Sequence, residues 1–131
     1  MSSFIDSNVQ VILIDDDPHL RQALYQTLDL AGLHVLPLAE ATGIAARIER
    51  NWPGVVVSDI RMPGMDGLEL LAELHAQDPE LPVLLITGHG DVPLAVQAMR
   101  AGAYDFLEKP FPSDALLEGV ARRGNHLEAT P

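Results

Sequence analysis

The chain contains no cysteine, and this absence removes two classes of structure: a disulfide framework and a zinc site built on thiolates. Basic residues are also scarce, because 8 Lys and Arg stand against 19 Asp and Glu and give a formal net charge of −11. A surface that grips a phosphate backbone needs clustered basic side chains. We therefore expect no direct nucleic-acid binding by this domain.

Long hydrophobic runs are missing as well. No stretch approaches the roughly 18 consecutive apolar residues of a membrane-spanning helix, and the first residues lack the basic segment and apolar run of an export signal. These absences, with the lack of cysteine, predict a soluble, cytoplasmic protein that does not contact a membrane. The 131 residues show no internal repeat, so we expect one domain with a sizeable core.

Short apolar segments alternate with segments of helical periodicity along the chain. Strands are predicted at residues 9–14, 34–38, 55–59, 82–87 and 104–108. Helices are predicted at residues 18–31, 40–50, 67–77, 91–102 and 113–123, the first, third and fourth of them capped by Asp17, Asp66 and Asp91. Five strands alternating with five helices through short connections predict a doubly wound α/β domain with a parallel sheet.

The two ends of the predicted domain are less regular. Pro37 places the second strand at a sheet edge, where a missing N–H costs little, and alternating polar residues suit a less buried last strand. Residues 1–123 form the predicted domain. Residues 124–131 carry no periodic signal, and we expect them to be a frayed end or the start of a linker.

The central stretch of the sequence delivers one carboxylate into a loop. Three consecutive valines at 55–57 suit a parallel strand that is buried on both faces, and Pro63, Gly64 and Gly67 mark the loop that follows. Asp59 therefore lies at the carboxyl end of a central strand, which is the edge where open α/β sheets bind ligands. The alternative is that Asp59 caps the next helix, but Asp66 stands in a better place for a cap.

Other chemically capable side chains follow the remaining strands. Asp15 and Asp16 end the first strand, Thr87 the fourth, and Lys109 follows the fifth. Clustered carboxylates repel unless a cation joins them, and an all-oxygen ligand set selects Mg²⁺, which also contacts substrate phosphates. Lys109 and the Thr87 hydroxyl could then hold phosphoryl oxygens while Asp59 attacks phosphorus. Taken singly, Thr87 is more simply a loop cap and Lys109 a surface lysine.

Four motifs together resemble the receiver domains of two-component response regulators, over residues 9–123. They are Ile14-Asp15-Asp16-Asp17, Asp59-Ile60-Arg61-Met62-Pro63-Gly64-Met65-Asp66-Gly67, Thr87-Gly88 and Lys109-Pro110-Phe111. The resemblance implies a flavodoxin-like (βα)5 fold with strand order 2-1-3-4-5. It also implies a phosphorylation-operated signalling switch rather than an enzyme acting on a separate substrate.

The resemblance further implies roles for individual residues. Asp59 would accept a phosphoryl group from a sensor histidine kinase. Asp16 and Asp59 would bind Mg²⁺ with Asp15 assisting and with the backbone carbonyl of Arg61 as a further ligand. Lys109 would hold the phosphoryl group, next to a cis bond to Pro110.

In this family Thr87 is coupled to an aromatic residue three positions before the lysine. Here that residue is Phe106, where many relatives have tyrosine, so a switch that needs a hydroxyl at this position is not expected. Rotation of Phe106 and simple core packing both remain open. We further hypothesise that phosphorylation strengthens a homodimer through the fourth predicted helix, the fifth strand and the fifth predicted helix.

Residues 87–106 most resemble receivers of transcription activators that work with sigma factor 54, such as regulators of dicarboxylate transport, followed by nitrogen-fixation regulators with a helix-turn-helix output. We expect this chain to be the receiver of a longer regulator rather than a stand-alone receiver.

Two other functions remain as alternatives. A Mg²⁺-dependent phosphotransferase or phosphatase of the dehalogenase type would need a second acid where Arg61 stands. A phosphorylation-independent interaction module would not need the intact set of site residues.

Overall fold

The computed structural model describes residues 4–88 and 90–128, except the side chains of 122–128. In these residues a parallel sheet of five strands has the order β2-β1-β3-β4-β5, which confirms the predicted topology. The strands are β1 Val11–Ile14, β2 Val35–Leu38, β3 Val55–Asp59, β4 Val83–Thr87 and β5 Asp105–Glu108. The α-helices are α1 Pro18–Leu30, α2 Gly67–Gln77, α3 Val92–Arg100 and α4 Ser113–Glu128.

The burial of each strand follows its sequence pattern. Every residue of β1, β3 and β4 is buried, as expected for apolar runs without alternation at the centre of a parallel sheet. The edge strands β2 and β5 are less buried, and Pro37 in β2 is exposed. Both edge predictions are confirmed. Asp59 pairs with Ile86 and Thr87 with Glu108, so β3, β4 and β5 end at one edge of the sheet.

The sheet separates two hydrophobic clusters, and this is the doubly wound arrangement that the alternation of elements predicts. One cluster joins the sheet to α2 and α3, with Leu70, Leu74 and Ala98 among its members. The other joins the opposite face to α1 and α4, through Leu28 and Leu116 among others. Burial on both faces fixes the central strands, which carry the candidate site at their carboxyl ends.

The prediction of a helix at residues 40–50 is wrong. The structure has a short 3-10 helix there, Ala45–Arg47. Gly43 lies in the left-handed region with φ +79°, and no side chain caps the turn that follows. Distant donors take up backbone carbonyls of the segment, because Gln77 Nε2 donates to the carbonyl of Ala45 at 2.7 Å and Ile5 N donates to that of Arg47 at 2.8 Å. These contacts replace the intrahelical bonds that a regular helix would make.

Helices α1 and α2 begin at the caps that the sequence predicts, Asp17 and Asp66. Asp17 Oδ1 accepts hydrogen bonds from His19 N and Leu20 N at 2.9 and 3.3 Å, and Pro18 occupies the first helical turn. Helix α4 continues five residues past the predicted end at 123, and residues 129–131 of the predicted tail lie outside the described residues. Within the described part of the chain, no helix has the length and apolar character needed to cross a membrane.

Candidate functional site

Asp59 is the last residue of β3, and the fold leaves its side chain 9% exposed. Its two oxygens have different partners: Oδ2 accepts from Lys109 Nζ at 3.1 Å, and Oδ1 accepts from the backbone N–H of Arg61 at 3.2 Å. The lysine arrives from the loop after β5, 50 residues away in the chain. The structure thus brings together a nearly buried carboxylate and a half-buried cation, as the order of the strand ends predicts.

The three predicted acids form one cluster. Asp15, Asp16 and Asp59 each offer a carboxylate oxygen, and these oxygens lie within 4.8 Å of one another. Asp15 is buried and Asp16 is exposed. Such an oxygen cluster, open to solvent on one side, is suited to a hard divalent cation.

Asp15 carries the observation that fits a cation best. Its Oδ1 accepts from Asp17 N at 2.9 Å, whereas Oδ2 is buried without a hydrogen-bond partner among the described residues. A buried oxygen of this kind is costly unless something binds it. The residues present therefore fit a cation between the carboxylates.

The surroundings of Asp15 raise the pKa of its carboxyl group above the ordinary value. Burial is the largest cause, and the negative charges of Asp59 and Asp16 act in the same direction. The hydrogen bond from Asp17 N and the positive charge of Lys109 oppose the rise in the pKa without cancelling it. A bound cation would favour the ionised form of the cluster and reverse this tendency.

Lys109 is held by its backbone as well as by its charge. Its N–H donates to the carbonyl of Thr87 at 2.8 Å, which continues the pairing of β5 with β4 past the end of the strand. The bond between Lys109 and Pro110 is cis, and this confirms the prediction. The lysine side chain therefore leaves the chain at a defined point opposite Asp59.

The predicted switch residues lie beside this site. Thr87 is buried, and its Oγ1 donates to the carbonyl of Leu107 at 3.5 Å, so in this state the hydroxyl is directed to β5. Phe106 is half-buried and packs against the core cluster on the α2 and α3 side of the sheet. Their coupling stays a prediction, because the structure contains one arrangement of the pair.

The loop from β3 to α2 is shaped by close backbone contacts. Gly64 has φ +78°, a conformation that L side chains rarely adopt. At Gly67 a Cβ atom would lie 2.7 Å from the carbonyl oxygen of Asp59 and 2.8 Å from Cα of Ile60. Only glycine therefore lets α2 begin directly against the chain that carries Asp59.

Two arginine contacts were not predicted from the sequence. Arg21 Nη1, on α1, donates to the carbonyl of Asp15 at 2.7 Å. Arg61 Nε and Nη2 donate to the two carboxylate oxygens of Asp91 at 2.8 and 2.9 Å. Neither contact has a local sequence signal, because each depends on how the loops approach one another in space.

The Arg61 contact corrects one expectation. Asp91 stands at the N-cap position of α3, but its carboxylate makes no capping hydrogen bond within the described residues. The hydrogen bonds from Arg61, followed by its positive charge, lower the pKa of Asp91, and the same pair raises the pKa of Arg61.

Comparison with known proteins identifies this arrangement. The response regulator receiver domain family matches residues 11–121, which is most of the chain. This chain is a member of that family. The receiver is 71% identical over 124 residues to the C4-dicarboxylate transport transcriptional regulatory protein DctD of Pseudomonas aeruginosa, covering 93% of this chain and 27% of DctD. It is 47% identical over 116 residues to the transcriptional regulatory protein FixJ of Bradyrhizobium diazoefficiens, covering 86% of this chain and 57% of FixJ.

Solved structures show the same fold. The receiver domain of NtrX from Brucella abortus superposes with a TM-score of 0.81 at 38% identity, covering 92% of this chain and all of that one. Full-length FixJ from B. japonicum gives a TM-score of 0.80 at 43% identity and covers 95% of this chain and 61% of that one. The chain spans about a quarter of the length of the DctD proteins that it matches.

Proposed function

We propose that this receiver domain is a phosphorylation-operated switch whose acceptor is Asp59. The observation that carries the proposal is the position of this carboxylate, which lies 3.1 Å from Lys109 Nζ and also belongs to the acidic cluster. Of the clustered acids, Asp59 is the one that Lys109 Nζ contacts within the described residues. A nucleophile placed between a cation site and a lysine suits attack on a phosphoryl group.

In the proposed step, one Asp59 oxygen attacks the phosphorus of a phosphohistidine on a sensor histidine kinase. An O–P bond forms to Asp59 as the N–P bond breaks, and the electron pair returns to the imidazole nitrogen, which can take a proton. Lys109 then pairs with a phosphoryl oxygen and offsets the added negative charge. The Thr87 hydroxyl reaches the phosphoryl group by turning from the carbonyl of Leu107, its present partner at 3.5 Å.

We propose Mg²⁺ as the cation of the cluster. Asp16 and Asp59 would hold it directly, with Asp15 and the backbone carbonyl of Arg61 completing the protein ligands. When bound, Mg²⁺ supplies positive charge that stabilises the transferring phosphoryl oxygens. The orphaned Oδ2 of Asp15 supports a cation at this place, and an all-oxygen donor set favours Mg²⁺ over softer metals.

The chain's own catalysis is limited to its aspartyl phosphate. We propose that it promotes phosphorylation of Asp59 and slow loss of the phosphoryl group, and that it turns over no separate metabolite. The dehalogenase-type alternative needs an acid two residues after the nucleophile, whereas Arg61 occupies that place and pairs with Asp91 at 2.8 Å.

The consequence of phosphorylation is proposed to be control of a transcription-activating output domain. The relatives DctD and FixJ are named as transcriptional regulatory proteins. We propose that Thr87 and Phe106 convey the change to α3 and β5, and that the modified form dimerises through α3, β5 and α4. Val92, Val96 and Met99 on α3 support this surface, since each is at least 40% exposed although large and apolar.

Intact-mass measurement tests the acceptor. The wild type is incubated with Mg²⁺ and acetyl phosphate beside Asp59→Asn and beside Asp78→Asn, which makes the same change of charge far from the cluster. We expect one added phosphoryl group on the wild type and on the Asp78→Asn control, and none on Asp59→Asn. Equal addition to all three proteins would place the modification elsewhere and contradict the proposal.

Sedimentation velocity tests the dimer. Phosphorylated wild type should contain more dimer than the unmodified protein at the same concentration, and Asp59→Asn should not respond to acetyl phosphate. Identical mass distributions with and without modification, on samples whose phosphorylation has been verified by mass, would refute the dimer proposal for this chain.

A further inference from the structure

The contact between Arg61 and Asp91 joins two segments that are 30 residues apart in the chain. Arg61 lies in the loop after β3, two residues past the proposed acceptor. Asp91 occupies the N-cap position of α3. Two of the three guanidinium nitrogens, Nε and Nη2, donate at 2.8 and 2.9 Å, one to each carboxylate oxygen. A bidentate pair fixes orientation as well as distance, so it ties the start of α3 to the acceptor loop.

Helix α3 contacts the core at its first turn through one large side chain, the partly buried Leu94. The helix is nine residues long, and within its described residues the buried side chains are the small ones of Ala95 and Ala98. Val92 at its start is 43% exposed. Gly90, just before Asp91, has φ +92°, which gives the approach to the helix a conformation specific to glycine. The ion pair adds a polar attachment to this small apolar contact and fixes the direction of the first turn relative to the acceptor loop.

The arginine is also close to where new charge would arise. The backbone N–H of Arg61 donates to Asp59 Oδ1 at 3.2 Å, so the residue that carries the guanidinium already contacts the acceptor carboxylate. The arginine side chain is 69% exposed and has room to turn, whereas the Asp91 side chain is 16% exposed. An aspartyl phosphate carries a charge of about −1.5 to −2 in place of the single negative charge of the carboxylate, and arginine binds phosphate oxygens bidentately.

We propose that the Arg61–Asp91 pair is a latch on α3 that phosphorylation of Asp59 opens. In the unmodified protein, Arg61 holds the first turn of α3 against the acceptor loop. The phosphoryl group competes with Asp91 for the guanidinium, and transfer of the guanidinium to the phosphoryl oxygens releases the start of α3. This inference rests on the proposed function and adds to it a positioning residue, Arg61, whose side chain has a role separate from that of its backbone carbonyl.

The latch can be measured at two amides. Leu94 N and Ala95 N both donate to the carbonyl of Asp91, at 3.0 and 3.1 Å, so their hydrogen exchange reports on the first turn of α3. In the wild type, we expect phosphorylation by acetyl phosphate and Mg²⁺ to speed their exchange about two- to fivefold, the range of one exposed ion pair. Exchange is followed by NMR, and the extent of phosphorylation by intact mass on the same samples.

Two variants that replace a charged side chain with an amide break the latch from either side. Asp91→Asn and Arg61→Gln should show the faster exchange before phosphorylation, and phosphorylation should add little to it. The double variant should be no faster than either single one, because all three lack the same contact. The control Asp78→Asn loses one carboxylate elsewhere and should behave as the wild type.

The two readouts separate the possible failures. If the wild type gains no phosphoryl mass, the proposed function itself fails. If mass is gained but Asp91→Asn starts with wild-type exchange and then shows the full increase, the latch is refuted while the function stands. Additive effects of the two single variants would likewise refute it. Circular dichroism and the melting temperature verify that each variant is folded, so that faster exchange is not read from an unfolded chain.

Discussion

Helices α2 and α3 begin in comparable places and use the same residue type differently. Each follows a loop at the carboxyl end of a central strand, and each has aspartate at its N-cap position. Asp66 closes a capping box with Glu69, with hydrogen bonds of 2.8 and 3.0 Å. Asp91 instead receives both hydrogen bonds from Arg61, across 30 residues of sequence. The start of α2 is thus fixed by a local cap, whereas that of α3 depends on a distant pair whose arginine is 69% exposed, so we expect α3 to be the easier of the two to release.

The largest expected difference between the two helix starts comes from adding a methyl group beside each. In Gly67→Ala the new Cβ would meet two backbone atoms, 2.7 and 2.8 Å away, which cannot yield without moving β3. We expect the free energy of unfolding to fall by about 2 kcal/mol or more. Urea unfolding followed by fluorescence of the buried Trp52 measures it.

Gly88→Ala is the matched substitution near α3. Its Cβ would lie 3.4 Å from Asp91 Oδ2, an ordinary contact with the end of a side chain. We expect a change in the free energy of unfolding below about 0.5 kcal/mol. Equal losses for the two variants would show that the start of α2 is no more tightly fitted than that of α3.

Removing the two carboxylates gives the next largest difference. Asp66→Ala deletes the capping box and leaves the N–H of Glu69 without its acceptor, so we expect a loss of about 1 kcal/mol in unfolding free energy. Asp91→Ala removes a pair whose arginine is largely exposed, and its loss should be smaller. The same urea assay compares them. A greater loss for Asp91→Ala would mean that the distant pair stabilises the fold more than the local cap does.

Asp15 provides a third case, a carboxylate whose second oxygen has neither a local nor a distant partner among the described residues. Burial raises its pKa, so the folded state binds the proton more tightly than the unfolded state does. Stability from this group is therefore present at acidic pH and is lost as pH rises from the unfolded pKa through the folded one. In metal-free buffer at neutral pH, Asp15→Asn should be more stable than the wild type by about 1 kcal/mol.

Mg²⁺ should reverse that order. A ligand that binds only the folded state stabilises it by mass action, and the wild type has the full carboxylate set. Its melting temperature should rise with Mg²⁺ more than that of Asp15→Asn. We interpret Asp15 as a buried carboxylate that is destabilising when ionised and that a cation stabilises. A gain in stability for Asp15→Asn that is the same at every pH from 4 to 8, or the same with and without Mg²⁺, would contradict this interpretation.

What could be predicted from the sequence follows the same division between local and distant contacts. The sheet order, the caps at Asp17 and Asp66 and the grouping of Asp15, Asp59 and Lys109 follow from strand patterns and from the rule that parallel strands end together. The prediction of a helix at residues 40–50 was wrong, because the pattern was weak. The positive φ of Gly43 and the hydrogen bonds from Ile5 and Gln77 favour a short 3-10 turn instead.

The prediction that Asp91 caps α3 was wrong for a related reason. Its sequence context is that of a cap, and the partner that displaces the capping bond, Arg61, belongs to another loop. The lack of a hydrogen-bond partner for Asp15 Oδ2 within the described residues could not be predicted from the sequence either. It depends on which atoms surround the carboxylate and not on the motif itself. Motifs located the site, whereas the partners of individual oxygens required the structure.

The smallest expected effect concerns salt, and it separates the two helix starts by the kind of force that holds each. The Arg61–Asp91 pair is a contact between opposite charges in which the arginine is 69% exposed, so counterions screen it. The capping box of Asp66 depends mainly on directional hydrogen bonds to backbone N–H groups, which salt weakens less.

Raising NaCl from about 0.05 to 1 M, where the screening length falls to about 3 Å, should shrink the stability gap between the wild type and Asp91→Ala by a few tenths of a kcal/mol at most. The gap between the wild type and Asp66→Ala should be nearly unchanged. Urea unfolding at both salt concentrations measures the two gaps, since urea adds no ions. If both differences in stability shrink equally, the same electrostatic attraction stabilises the first turns of α2 and α3. The contrast between a local cap and a distant ion pair would then have no physical basis.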